Sequence, residues 1–285
     1  MPLVPTADLV ADAAAARRAV PAFNVITLEH AEAIADGVAD WAAGTGGTGA
    51  AILQVSQNAV AYHRGQVAPI VAACRLIAEA SDARLSVHLD HATERDLLAA
   101  AAAAGVSSVM FDASTLPHAE NVAATREATA WAQARGLYVE AELGEVGGKD
   151  GAHAPGVRTD PDEAHQFVAD TGVDALAVAV GSSHAMTERT AALDHPLIER
   201  LAAAVDVPLV LHGSSGVPWT ELRAAARSGI TKINIGTLLN VSFTAAVRTA
   251  LADERLVDPR KYLTPARTAT ATVISEAMAE LNAAG

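Results

Sequence analysis

Three of the ten histidines in this 285-residue chain share a local setting. His91 and His212 each close, and His184 shortly follows, a short run rich in Val, Leu and Ala. Three imidazoles brought together would make a zinc site with an open fourth position, the pattern of catalytic rather than structural zinc. Taken singly, each also has a plain reading as a hydrogen-bonded core or loop residue. No short-range spacing joins them, so the metal reading depends on the fold. Asp90, immediately before His91, places a carboxylate where it could move a proton. Its plain readings are a cap for the helix expected near Thr93, or a partner that orients a ligand. The other seven histidines (His30, His63, His88, His118, His153, His165 and His195) read as surface or packing residues. His88 stands apart because it alternates with Asp90 in one strand. Two glycine-bearing segments could take a phosphate, Gly213-Ser214-Ser215-Gly216 and Asn234-Ile235-Gly236-Thr237. Backbone N–H groups at a helix start bind anions well, although Gly-Ser loops are also ordinary turns. The glycine-rich stretch Gly144 to Gly151 is polar and long for a connection, which suggests a lid.

Positioning these residues requires a scaffold, and the chain alternates β-rich runs with Ala-rich helical stretches. Strands are expected near Ala22–Val25, Ala51–Val55, Leu85–Leu89, Ser108–Phe111, Tyr138–Glu142, Ala175–Val180, Leu209–Leu211 and Lys232–Ile235. Helices are expected at Leu28–Ala42, Val67–Ala80, Glu94–Ala104, Glu120–Arg135, Asp162–Thr171 and Pro196–Ala204. The strands read as buried on both faces, as in a parallel sheet covered by helices. Eight of them, in a chain of this length, point to a closed (β/α)8 TIM barrel; a doubly wound open sheet is the rival. The tail from Asp258 reads as a turn followed by a closing helix from about Ala269 to Asn282. One domain spanning residues 1–285 is expected. Nearly every strand ends in a polar or titratable residue: Asn24, Gln54 and Ser56, Asp90 and His91, Asp112, Glu140 and Glu142, Ser182 to His184, His212, and Asn234. In a parallel barrel those ends converge on the face that carries active sites.

Composition narrows the function classes. Hydrophobic residues make up 51% of the chain and aromatics only 4%, so Ala, Val, Leu and Ile must build the core. With 20 basic against 33 acidic residues, the formal charge is −13. Such a surface repels nucleic acid and anionic membrane, yet a few N–H groups can still hold a small phosphorylated ligand. The single cysteine, Cys74, leaves no internal disulfide and no Cys-rich metal cluster. No apolar stretch is long enough to span a bilayer and no basic start precedes an apolar run, so a soluble cytoplasmic protein is expected.

At these residues the chain resembles the class II, metal-dependent ketose-bisphosphate aldolases, nearly from end to end. Val87-His88-Leu89-Asp90-His91 is similar to that family's His-x-Asp-His signature. Val139-Glu140-Ala141-Glu142-Leu143-Gly144, with Gly147-Gly148, is similar to its second. Ala22-Phe23-Asn24-Val25, Val109-Met110-Phe111-Asp112, Val210-Leu211-His212-Gly213, Lys232-Ile233-Asn234 and Asp258-Pro259-Arg260 add to the likeness. The resemblance implies a zinc ion on His91, His184 and His212, acting as a Lewis acid that stabilises an ene-diolate, with an optional monovalent cation. It implies that Asp90 exchanges a proton with the hydroxyl beside the breaking bond, and that a lid carboxylate, Asp150, serves the substrate carbon. Asn24 and Ser56 would contact substrate. Gly213, Ser214, Ser215, Asn234, Ile235, Gly236 and Thr237 would hold the phosphate of dihydroxyacetone phosphate. Arg260 would take a distal phosphate, often in a neighbouring subunit of a homodimer or homotetramer. Asp112 and Glu142 stand where some members bind a second or displaced metal. The implied partner is a small ketose phosphate, such as fructose or tagatose 1,6-bisphosphate.

The chain departs from the family pattern at three positions: Asp150 for Glu, Ala185 for Gly, and Leu238 for an acidic residue; its lid is also short. These bear on carbanion protonation and on the aldehyde partner. Two other readings stay open. One is a class I aldolase forming an imine through Lys232, whose plain reading is an interior lysine paired with a carboxylate. The other is a sugar-phosphate-binding homologue without catalysis, if the shorter Asp150 cannot reach.

Overall fold

The computed structural model describes residues 3–143, 158–182 and 189–283. Eight parallel strands close a barrel in sequence order. They are β1 (Val20–Asn24), β2 (Ala50–Ser56), β3 (Arg84–Ala92), β4 (Ser108–Phe111), β5 (Tyr138–Leu143), β6 (Ala175–Val178), β7 (Leu209–Leu211) and β8 (Ile230–Ile235). β1 pairs with both β2 and β8, which excludes the open-sheet rival. The helices are α1 (Thr6–Ala15), α2 (Leu28–Thr45), α3 (Gln57–Tyr62), α4 (Val67–Ala80), α5 (Arg95–Ala104), α6 (His118–Gln133), α7 (Pro161–Thr171), α8 (His195–Ala204), α9 (Trp219–Ser228), α10 (Thr237–Ala250) and α11 (Pro259–Asn282).

The strands are buried on both faces, but the two faces differ in chemistry. In β3 the alternate residues Leu85, Val87 and Leu89 join the main apolar cluster under the helices. Ser86, His88 and Asp90 face the barrel interior, where they meet Thr6, Ser108 and Asn234. Many barrels fill this space with branched apolar side chains. Here an apolar floor of Leu9, Val10, Val20, Ala22 and Ile52 gives way upward to a buried polar layer. Helix α1 supplies Leu9 and Val10 to that floor, at the N-terminal end of the barrel.

Local signals set several helix starts. Asp160, Asp194 and Asp258 accept backbone N–H groups at the first turns of α7, α8 and α11, each with proline just inside. This corrects the tail: the closing helix begins at Pro259, ten residues earlier than expected. The Asp258-Pro259 pair is a helix start rather than a turn, and Pro265 is accommodated inside the helix. α11 packs on α2, where a Cβ at Gly37 would collide with the Ala271 carbonyl and Ile274.

Candidate active site

The C-terminal ends of the strands bring most of the expected residues together. His91 and His212 stand on β3 and just beyond β7, four places apart around the barrel and not on neighbouring strands. An eight-stranded barrel is only one side-chain layer wide, so inward groups on opposite strands touch. Their rings meet edge to face with centroids 4.8 Å apart. Asp90, His91 and His212 each offer a ligand atom, all within 4.8 Å of one another. Asp90 caps no helix: α5 begins at Arg95 after Glu94, and Asp90 instead receives Asn234 Nδ2 at 3.4 Å.

Consecutive strand residues normally point to opposite faces. At Asp90 and His91 a register shift lies between Leu89 and Ala92, and His91 takes a left-handed backbone with φ 52°. That irregularity turns both side chains to the barrel mouth. His91 Nδ1 donates to Asp112 Oδ2 at 2.6 Å and lies 3.8 Å from Glu142 Oε2. His91, Asp112 and Glu142 form a second grouping able to hold a cation. Asp112 also receives the Ser114 N–H and hydroxyl at 3.1 and 2.6 Å.

Beneath this layer, Glu140 accepts from His212 Nε2 at 2.9 Å and from Lys232 Nζ at 2.8 Å. Burial alone would raise the Glu140 pKa, but the Lys232 ammonium and the His212 hydrogen bond outweigh it and hold the group ionised. Burial opposes ionisation of Asp90 too; His91, His212, Lys232 and His88 together lower its pKa. His88 is pushed down to about 3, by burial first and Lys232 second, and is therefore neutral. His88, Asp90 and Glu140 are also close enough to hold a metal, but the ammonium already at Glu140 opposes a cation there. Lys232, engaged in that ion pair, follows its plain reading as an interior lysine rather than that of an imine nucleophile.

The charge balance favours a cation above this floor. Among the described residues, the buried carboxylates of the barrel are Asp90, Asp112, Glu140 and Glu142, and the one buried ammonium is Lys232. Two imidazoles with carboxylates form a nitrogen–oxygen donor set that suits zinc. The buried Asn234 Oδ1 and Gln54 Oε1 have no hydrogen-bond partner.

The glycine segments also converge. Gly213 opens a short 3₁₀ turn, Ser214–Gly216, and Gly236 precedes α10, whose first residue is Thr237. Ser214 Oγ donates to the Asn234 carbonyl at 2.5 Å, tying the two segments together. Ile235 ends β8 with its side chain in the outer apolar cluster, so only its backbone is available to a ligand. Asn24 ends β1 beside Gly236 and accepts from Gln54 Nε2 at 2.9 Å. Ser56 is placed at the same face, its oxygen accepting the Ala59 N–H as the cap of α3. Ser215 is half-buried in the 3₁₀ turn. Arg260 is not drawn in: its side chain is 88% exposed and its guanidinium is paired with Asp258 at 2.8 Å. Asp150, His184 and Ala185 lie outside the described residues.

Glu140, expected from the sequence at a strand end, lies instead below Glu142 in β5, with Lys232 as its partner. The alternation of Glu140 with Glu142, and of Lys232 with Asn234, is the signal that both point inward. The hydroxyl cluster of Thr6, Ser86, Ser107 and Ser108 below His88 had no such signal.

Comparison with known proteins bears on the whole chain. A family model described as fructose-bisphosphate aldolase class-II matches residues 4–285. Among solved structures, the YdjI aldolase from Escherichia coli K12 is 28% identical, covers 98% of this chain and 97% of its own, and has a TM-score of 0.84. A candidate fructose-1,6-bisphosphate aldolase from Coccidioides immitis is 27% identical with the same TM-score, covering 98% and 96%. Fructose-bisphosphate aldolase from Campylobacter jejuni, at 19% identity, 98% and 95% coverage and TM-score 0.81, speaks to the fold.

Proposed function

The chain belongs to the class-II fructose-bisphosphate aldolase family, and from that premise we propose that this carbon–carbon lyase reversibly cleaves a ketose bisphosphate, with fructose and tagatose 1,6-bisphosphate as the leading substrates, into dihydroxyacetone phosphate and an aldehyde. The observation that carries the reading is the meeting of Asp90, His91 and His212 across the barrel mouth, in a site where buried carboxylates outnumber the one buried ammonium among the described residues. These two histidines, with His184, would hold one zinc ion. When bound, zinc supplies Lewis-acid polarisation of the substrate ketone.

The chain's own groups handle the protons and the phosphates. Asp90, ionised and steered by Asn234, takes the proton of the hydroxyl beside the scissile bond and returns it on condensation. Asp150 is assigned the proton at the substrate carbon. The N–H groups of the Ser214–Gly216 turn and of the first turn of α10 take the dihydroxyacetone phosphate end. Asn24 and Ser56 orient the chain of hydroxyls. Arg260, exposed and paired with Asp258 in its own chain, serves the distal phosphate of a neighbouring protomer.

The test is zinc content measured alongside cleavage of both bisphosphates, before and after chelation. We expect about one zinc per chain, with cleavage lost on chelation and restored by added zinc. The Asp90→Ala variant should keep its zinc while kcat falls by roughly a hundred- to ten-thousandfold. Metal-free protein that still cleaves, and is trapped by borohydride, would transfer the chemistry to Lys232. Bound zinc and ligand without turnover would leave a binding homologue.

A further inference from the structure

The floor of the site contains an ion pair that the proposed reaction leaves without a task. Glu140 lies in the middle of β5, Lys232 in β8 and His212 beyond β7, and each side chain is at most 1% exposed. One carboxylate oxygen of Glu140 faces His212 Nε2 at 2.9 Å, and the other faces Lys232 Nζ at 2.8 Å. An ionised carboxylate only accepts hydrogen bonds, so the imidazole must present an N–H at Nε2. The lone pair of a neutral ring then falls on Nδ1. That atom is on the side of Glu142, 4.0 Å from its Oε1, in the layer where His91 stands. A buried carboxylate with no counter-charge would be costly; Lys232 supplies that charge at the other carboxylate oxygen.

We propose that Glu140, held by Lys232, is a positioning residue that fixes His212 as its Nε2–H tautomer and thereby presents Nδ1 to the metal. The inference rests on the metal reading given above. It assigns Glu140 no contact with substrate. It also accounts for an interior lysine that forms no imine: the ammonium anchors the carboxylate that orients a ligand.

Two measurements test it. In metal-free wild-type protein labelled with ¹⁵N-histidine, long-range proton–nitrogen correlation should show His212 as the Nε2–H tautomer. An Nδ1–H tautomer would overturn the proposal without any variant being made. Zinc affinity, read by competition with a chromogenic chelator, should weaken about ten- to a hundredfold in Glu140→Gln, and in the same direction in Lys232→Met, with circular dichroism confirming the fold. Wild-type zinc binding with unchanged affinity in a folded Glu140→Gln would overturn this inference alone. A wild-type protein that binds no zinc would instead remove the metal reading, and this inference with it.

Discussion

His91 holds a backbone conformation that costs a non-glycine residue about 1 kcal/mol or more, and it does so where two consecutive side chains must share one face. The strain is what makes Asp90 and His91 usable together. His88, two residues before Asp90, obeys the normal alternation and is buried below it, with Nδ1 on the Ser108 hydroxyl at 2.8 Å. Its depressed pKa has a consequence for stability. The unfolded chain takes up this proton below the ordinary value of 6.5, whereas the folded chain resists until about pH 3. Between those values the unfolded state binds more protons, so folding stability falls as pH falls; above pH 6.5 the group contributes nothing. The slope is about 1.4 kcal/mol per pH unit inside the window. In metal-free protein, urea melts at pH 5, 6 and 7 should therefore show a shallower pH dependence for His88→Gln than for wild type. Equal slopes would refute the assignment.

Among the elements, the connections at the top of the barrel bear the segments assigned to the phosphorylated substrate. A Cβ at Gly236 would come within 2.9 Å of Asn24 Nδ2. Gly236→Ala should thus push Asn24 aside and raise KM for a phosphorylated substrate about ten- to a hundredfold, with little change in melting temperature; unchanged KM would mean that Asn24 tolerates the shift. The segment leading into α8 is pinned to α9 and the turn before it. Arg189 stacks on Trp219 and donates to the Val217 carbonyl, and the Ala191 N–H donates to the Gly216 carbonyl. Glu221 accepts the Leu193 N–H at 3.2 Å and His195 Nε2 at 3.0 Å. The His195 hydrogen bond, then that of Leu193, lower the Glu221 pKa. Its contribution is accordingly present above the ordinary glutamate range and lost as pH falls through the lowered folded value. Glu221→Gln should cost about 1 kcal/mol at neutral pH, with the deficit closing in acid. Denaturant melts at pH 7 and pH 3 check both halves of that statement.

For the whole molecule, the two ends of the barrel divide stability from chemistry. At the lower end the Thr6 hydroxyl of α1 meets those of Ser86, Ser107 and Ser108 at 3.1, 2.8 and 2.6 Å. Thr6→Val should lose about 1–3 kcal/mol by leaving buried hydroxyls short of a partner, while kcat stays the same. A fall in kcat at matched folded fraction would show that the two ends are coupled. No helix among the described residues is long and apolar enough to cross a membrane.

The sequence by itself determined the eight-strand order, because periodicity and strand length follow from local side-chain chemistry. It also determined that polar residues gather at one end of those strands, since strand direction is common to every unit of a parallel barrel. Asp90, His91 and His212 were legible on those grounds, as were the Gly213 and Asn234 segments. The exchange of partners across the barrel was decided only by the tertiary structure. Which inward residue of β5 faces which residue of β7 and β8 depends on strand stagger around a closed cylinder, a quantity no local pattern encodes. That stagger places Glu140 between His212 and Lys232 and leaves Glu142 one layer above. It also pairs Lys232, the lysine that faces the barrel interior, with the Glu140 carboxylate beneath the layer of Asp90 and His91.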